Sequence, residues 1–186
     1  MFSSKSAKRQ SGFTLVELLI VAIILAILAA IIVPQFASTT TDATESALRA
    51  NVTGMRSAID LYRQQHGEYP GVATAVPAAP LACGGTAGAG TGGNQATLQS
   101  QLTLYSNRNG MTCSAAGTDF PFGPYIQEDT LPTNPITDVG IVVIVTDGDL
   151  NMTPATAGGW QYDSVIGKFI VNDDTLDSQG VAFSTY

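Results

Sequence analysis

Residues 13 to 33 read FTLVELLIVAIILAILAAIIV, an apolar run whose one charged residue is Glu17. At ~1.5 Å of rise per residue, a helix of this length is roughly 31 Å long, the thickness of a bilayer's hydrocarbon core. The run therefore reads as a membrane-spanning helix. An acidic side chain inside such a helix costs about 3 kcal/mol and needs a partner, unless it snorkels to the headgroups. Glu17 is thus the first residue marked out for a role. Pro34 ends the run and removes a helical hydrogen bond to the carbonyl of Ala30, which predicts a kink.

Upstream lie Lys5, Lys8 and Arg9, then the small residue Gly12 immediately before the run. A secretory signal would place its small-residue cleavage site after the apolar stretch. Cleavage at Gly12 would instead leave the helix attached to the mature chain. The cations ahead of the helix predict a cytoplasmic leader and export of the remainder. All fifteen acidic residues follow residue 12, so removing the leader's three cations takes the formal charge from −7 to −10. A surface that acidic repels phosphate backbones, which argues against nucleic-acid binding. A length of 186 residues, with charged residues at only 12%, fits one head domain plus one element in lipid.

The stretch Lys8-Arg9-Gln10-Ser11-Gly12-Phe13-Thr14-Leu15-Val16-Glu17-Leu18 resembles the leader and mature start of prepilins of the type IV filament superfamily. The resemblance implies that a dedicated membrane peptidase cuts after Gly12 and methylates the new amine on Phe13. It implies a partner for Glu17 as well, the terminal amine of a neighbouring subunit during assembly, and it matches Pro34 to the family's helix proline.

Beyond Pro34 the pattern continues with Leu48, Val52, Met55, Ile59 and Tyr62 on one face of a helix, with Glu45–Arg49 and Arg56–Asp60 as i,i+4 pairs on the rest. The reading is one long kinked helix from about Phe13 to Gln65. His66-Gly67-Glu68-Tyr69-Pro70 closes it through a glycine and a proline, with His66 as a capping or surface residue. Residues 71 to 97, rich in Gly, Ala, Thr and Pro, read as a loop, followed by a short helix around Ala96 to Tyr105. No Gly-Lys-Ser/Thr sequence supports a phosphate cradle. Ile141–Val145, Trp160–Tyr162 and Lys168–Val171 read as strands. The fold class is α+β: a long N-terminal helix, membrane-spanning in its first half, packed on a small antiparallel sheet. The organisation is leader 1–12, membrane helix 13–33, amphipathic helix 34–66 and head 67–186.

Cys83 and Cys113 belong to no CxxC or Cys/His cluster, which argues against zinc. Outside the cytoplasm they favour a disulfide, with two unpaired core cysteines as the alternative. Asp147-Gly148-Asp149-Leu150-Asn151 has the alternation that turns oxygens toward a hard cation but lacks the later Glu of an EF-hand. Asp173, Asp174 and Asp177 form a second acidic cluster. Tyr69-Pro70, Pro124-Tyr125-Ile126, Leu131-Pro132-Thr133-Asn134-Pro135 and Gly159-Trp160-Gln161-Tyr162-Asp163 up to Gly167 resemble landmarks of the major pseudopilins of type II secretion. Ile136-Thr137-Asp138 stands where that family carries tryptophan-glycine-asparagine. That resemblance implies one structural calcium ion in this half, drawn from one acidic cluster or both, and no other cofactor.

The function expected is a structural subunit of a type II secretion pseudopilus or type IV pilus-like filament. Its partners would be copies of itself, the prepilin peptidase, an inner-membrane assembly platform, minor pilins and membrane lipid. It would sit in a bacterial inner membrane with its head exported, and then in a periplasmic or surface filament. One histidine and two cysteines offer no nucleophile and base for an enzyme. A minor tip subunit with a binding or adhesive role, or a membrane-tethered binding domain, is the alternative.

Overall fold

The apolar spacing of the first sixty residues produces one helix, α1, spanning Leu15–His66. A computed structural model describes residues 13–76, 83–155 and 157–186. The chain divides into two units, one running through Thr41 and one from Asp42 to Tyr186. In the first, the helix continues through Pro34 without interruption. The leader, with Lys5, Lys8, Arg9 and Gly12, lies outside the described residues.

In the second unit, Leu48, Val52, Met55, Ile59 and Tyr62 are all buried, as their spacing predicts. Against them pack Leu98 and Leu102 of α2 (Gln95–Thr103), Val142 of β3 (Val142–Val145), Trp160 and Tyr162 of β4 (Trp160–Asp163), and Phe169 and Val171 of β5 (Lys168–Val171). Burying one such large apolar side chain contributes about 1.5–3 kcal/mol, so this stripe is what gives the head its core. Alternation along β4 and β5 sends Trp160, Tyr162, Phe169 and Val171 into this core. A second, two-stranded sheet pairs β1 (Tyr105–Ser106) with β2 (Thr112–Cys113). A 3₁₀ turn, Phe183–Thr185, adds Phe183 to the core.

The main sheet departs from the all-antiparallel expectation. β4 and β5 form an antiparallel hairpin, Trp160 opposite Val171, whereas β3 lies parallel to β4, Val142 opposite Trp160. Parallel neighbours need a crossover of about a dozen residues, and the long connection from Asp147 to Gly159 supplies one.

Both i,i+4 ion pairs expected on α1 give way to longer-range partners. Glu45, buried, accepts from the Ser178 amide at 2.8 Å and its hydroxyl at 3.0 Å. Arg49 pairs with Asp177 at 3.0 Å, and Arg56 donates to the carbonyls of Phe169 and Tyr186. Helix spacing brings charges near one another, but a carboxylate facing the loop gains more from a desolvated amide than from an exposed arginine.

The described parts of the glycine-rich stretch, 71–76 and 83–97, are tied by backbone hydrogen bonds. Gly88 donates to Thr112 O at 2.9 Å, Ala75 to Gly90 O at 3.1 Å, and Gly93 to Gly71 O at 2.8 Å. A Cβ on Gly92 would lie 2.1 Å from Val72 O, and one on Gly88 would lie 1.7 Å from Thr112 Oγ1. Glycine is needed there because the strip is laced between two other backbones. Gln101 of α2, fully buried, ties the same region: it accepts from the Gly71 amide at 2.6 Å and donates to Ala73 O and Gly110 O.

Candidate functional site

Leu15–Val33 is long and apolar enough to cross a membrane, with a mean hydropathy of 3.2 and none of it buried within the chain. Its large side chains, from Leu15 to Val33, are exposed, as is Phe13 just before the helix. Water does not tolerate an apolar surface of this extent on a free-standing helix, so lipid or other helices must cover it.

At the head of this segment, Thr14 and Glu17 form a reciprocal cap. The Glu17 amide donates to Thr14 Oγ1 at 3.2 Å, while the Thr14 amide and hydroxyl both donate to Glu17 Oε2 at 2.8 Å. Leu18 N to Thr14 O is the first helical bond. This is a Thr-x-x-Glu capping box, which satisfies two of the amide groups a helix start leaves unpaired. The sequence carried that signal, a Thr three residues before a Glu at the opening of an apolar run, and the reading based on charge alone overlooked it. Both bonds use one carboxylate oxygen. Among the described residues nothing donates to Oε1, which remains able to accept from a second molecule.

In the head, Cys83 and Cys113 are joined by a disulfide, their Cα atoms 5.6 Å apart. This fastens the glycine-rich strip to β2, beside the bridge between Ala87 and Cys113.

The six residues expected to hold calcium lie in two stretches of the head, 147–151 and 173–177. Among the described residues no three His, Cys, Asp or Glu side chains gather around a common point as a metal site. Each of these carboxylates accepts hydrogen bonds within the head. Asp147 and Asp149 accept from the amides of Asp149 and Asn151, and Asp173 accepts from Thr175 N at 2.8 Å. Asp174 accepts from the Ser184 hydroxyl. Asp177 accepts from Gln179 N and Val181 N, each at 2.8 Å, and from Arg49 and the Tyr186 hydroxyl.

His66 is a half-buried cap of the helix end: Nδ1 lies 3.0 Å from Tyr62 O in the last turn of α1. Its ring stacks on Tyr62 with centroids 3.9 Å apart, and Nε2 lies 3.1 Å from Ser106 Oγ. Burial holds its pKa below the usual histidine value.

The pseudopilin-like landmarks act as pins of the head. Trp160 Nε1 donates to Pro132 O and Tyr162 OH to Pro70 O, at 2.8 and 2.9 Å. Tyr125 OH donates to Gln65 Oε1 at 2.6 Å. Asn134, fully buried, donates to Gly159 O at 2.8 Å and accepts from Ile136 N at 2.8 Å.

Residues 7–33 match the family model of the prokaryotic N-terminal methylation motif. The type II secretion system core protein G of Pseudomonas aeruginosa is 38% identical over 63 residues, which cover 34% of this chain and 44% of that protein. Its counterpart in Vibrio cholerae is 32% identical over 36% of this chain and 45% of its own length. A fimbrial protein of Neisseria meningitidis serogroup B is 44% identical over 33% of this chain and 36% of its own. The chain thus spans less than half the length of these curated relatives. No solved structure matches it. Residues 7–33 thus carry the prokaryotic N-terminal methylation motif, and the chain's likeness to the pseudopilins of type II secretion extends over about a third of its length.

Proposed function

We propose that this protein is a structural subunit of an extracytoplasmic filament, stored in the membrane by α1 and assembled after its leader is cut at Gly12 and Phe13 is methylated. The observation that carries the reading is the exposed apolar first half of α1, opened by a carboxylate with one oxygen uncommitted. Packing of such helices against one another would cover in the filament what lipid covers before assembly. The Glu17 carboxylate would then meet the terminal amine on Phe13 of a neighbouring copy, a charge pair that strengthens as water is excluded. Pro34 gives the same helix a point where its bonding can open.

Relatives named for type II secretion support a secretion pseudopilus as the machine served. Copies of this chain, the prepilin peptidase, an inner-membrane platform and minor pilins would be its partners. The head would face the periplasm and carry no catalytic residues. The test is intact mass and N-terminal sequencing of the protein from its native membrane, beside a Glu17→Ala variant inspected for filaments. A mature chain starting at methylated Phe13, with filaments lost in the variant, is the expected result. A chain that keeps its leader, or filaments indifferent to Glu17, would overturn the reading.

A further inference from the structure

We propose that the free edge of the main sheet, along β3, takes an extended, positively charged segment of another protein as an added strand. The sheet runs in the order β3, β4, β5, so β3 and β5 are its two edges. The β5 edge is covered, because Arg56 donates to Phe169 O and the 3₁₀ turn at Phe183–Thr185 packs along the strand.

The β3 edge is not. In a parallel ladder, alternate residues of a strand bond to a given neighbour. Ile141 O accepts from Trp160 N and Val145 O from Ser164 N, each at 3.1 Å. The odd-numbered residues of β3 therefore bond to β4, and Val142 and Ile144 turn their amides and carbonyls outward. Gln95, at the start of α2, occupies the first part of this edge: its Oε1 accepts from Val142 N at 3.1 Å and its Nε2 donates to Gly140 O at 3.4 Å. Beyond it, the Ile144 amide and the carbonyls of Val142 and Ile144 have no partner on that side among the described residues.

Open edges are ordinarily blunted by a lysine, a proline or a bulge. Ile141-Val142-Val143-Ile144-Val145 contains no lysine or proline, and its pairing with β4 runs one to one without a bulge. Ile141 is 57% exposed. Main-chain donors and acceptors in a row, beside an apolar side-chain surface, are what an extended backbone completes.

Charge selects the partner. Asp138 before the strand and Asp147 and Asp149 after it are exposed, and between Arg108 and Lys168 the chain carries seven carboxylates and no Lys or Arg. A second copy of β3 laid on this edge, in either direction, would set carboxylate beside carboxylate at both ends. A segment with a cation at each end meets the opposite charge at both.

The test uses the full chain in detergent and follows, by fluorescence anisotropy, a labelled peptide of alternating valine and threonine with a lysine at each end. The peptide should bind saturably. A copy N-methylated along both edges should bind about tenfold more weakly, as should one ended in glutamates, the second gap closing in roughly 1 M salt. Ile144→Pro removes an outward amide and spares the ladder to β4, so it should abolish binding in a chain that still folds. Ile141→Lys, at an exposed position, should weaken the lysine-ended peptide about tenfold and bring the glutamate-ended one level with it. No saturation up to ~1 mM, equal binding of the N-methylated copy, or an Ile141→Lys chain that binds as its parent does would overturn the proposal. So would a chain that takes no peptide and self-associates through β3 in sedimentation.

Discussion

Asp177 gathers more donors than any other carboxylate of the head, with the Tyr186 hydroxyl, two loop amides and Arg49 at one side chain. The Tyr186 hydroxyl first, then the amides of Val181 and Gln179 and the Arg49 charge, hold its pKa below the usual carboxylate value. A depressed folded-state pKa means the contribution is present above the unfolded value of about 3.9 and lost as pH falls through the folded one. Asp177→Asn should therefore lower the melting temperature at pH 7 and reduce the acid sensitivity of unfolding below about pH 4. His66 works in the next window up. Its folded pKa is depressed by burial, so stability should decline as pH drops below about 6.5, and His66→Gln should flatten unfolding midpoints measured between about pH 7.5 and 5. Glu17 was legible in the sequence as a charge out of place. The pairing of Asp177 with Arg49 and of Glu45 with Ser178 was not, because those partners lie 128 and 133 residues apart along the chain. No local spacing encodes such a meeting.

The helix and the strands were legible where a period repeats. α1 ends at His66 where a glycine and a proline follow, and all three strands of the main sheet fall on the β-branched and aromatic runs. Strand direction was not legible, because it depends on the path of the 146–159 connection, a stretch with no period of its own. Nor was Gln101, which looks like any polar residue of a short helix until its amide is seen joining three backbones. The sheet's edge contacts give a direct test. Trp160→Phe keeps the ring in the core but leaves the Pro132 carbonyl without its donor, and should cost about 1–3 kcal/mol in denaturant unfolding. Tyr162→Phe, which removes the bond to Pro70 O, should cost about 1 kcal/mol.

At the scale of the whole molecule, a disulfide closing residues 83 to 113 constrains the unfolded chain by about 3–4 kcal/mol on the loop-entropy view. The paired Cys83→Ser and Cys113→Ser variant should lose that much in denaturant unfolding, with the change concentrated in the refolded head rather than in the helix start. Gly92→Ala should destabilise even with the disulfide intact, since its Cβ meets the Val72 carbonyl. The first unit answers to a different rule, because its apolar helix buries nothing in its own chain and gains stability only from surroundings. There the cap at Thr14 and Glu17 has a consequence for maturation. By fixing the first helical bond at Leu18, it sets where along the sequence the coil starts, two residues after Phe13, so the pair serves as a ruler. A hydrolase that needs unwound backbone would be refused every bond of the membrane segment behind the ruler, whereas the cleavage proposed after Gly12 falls ahead of it.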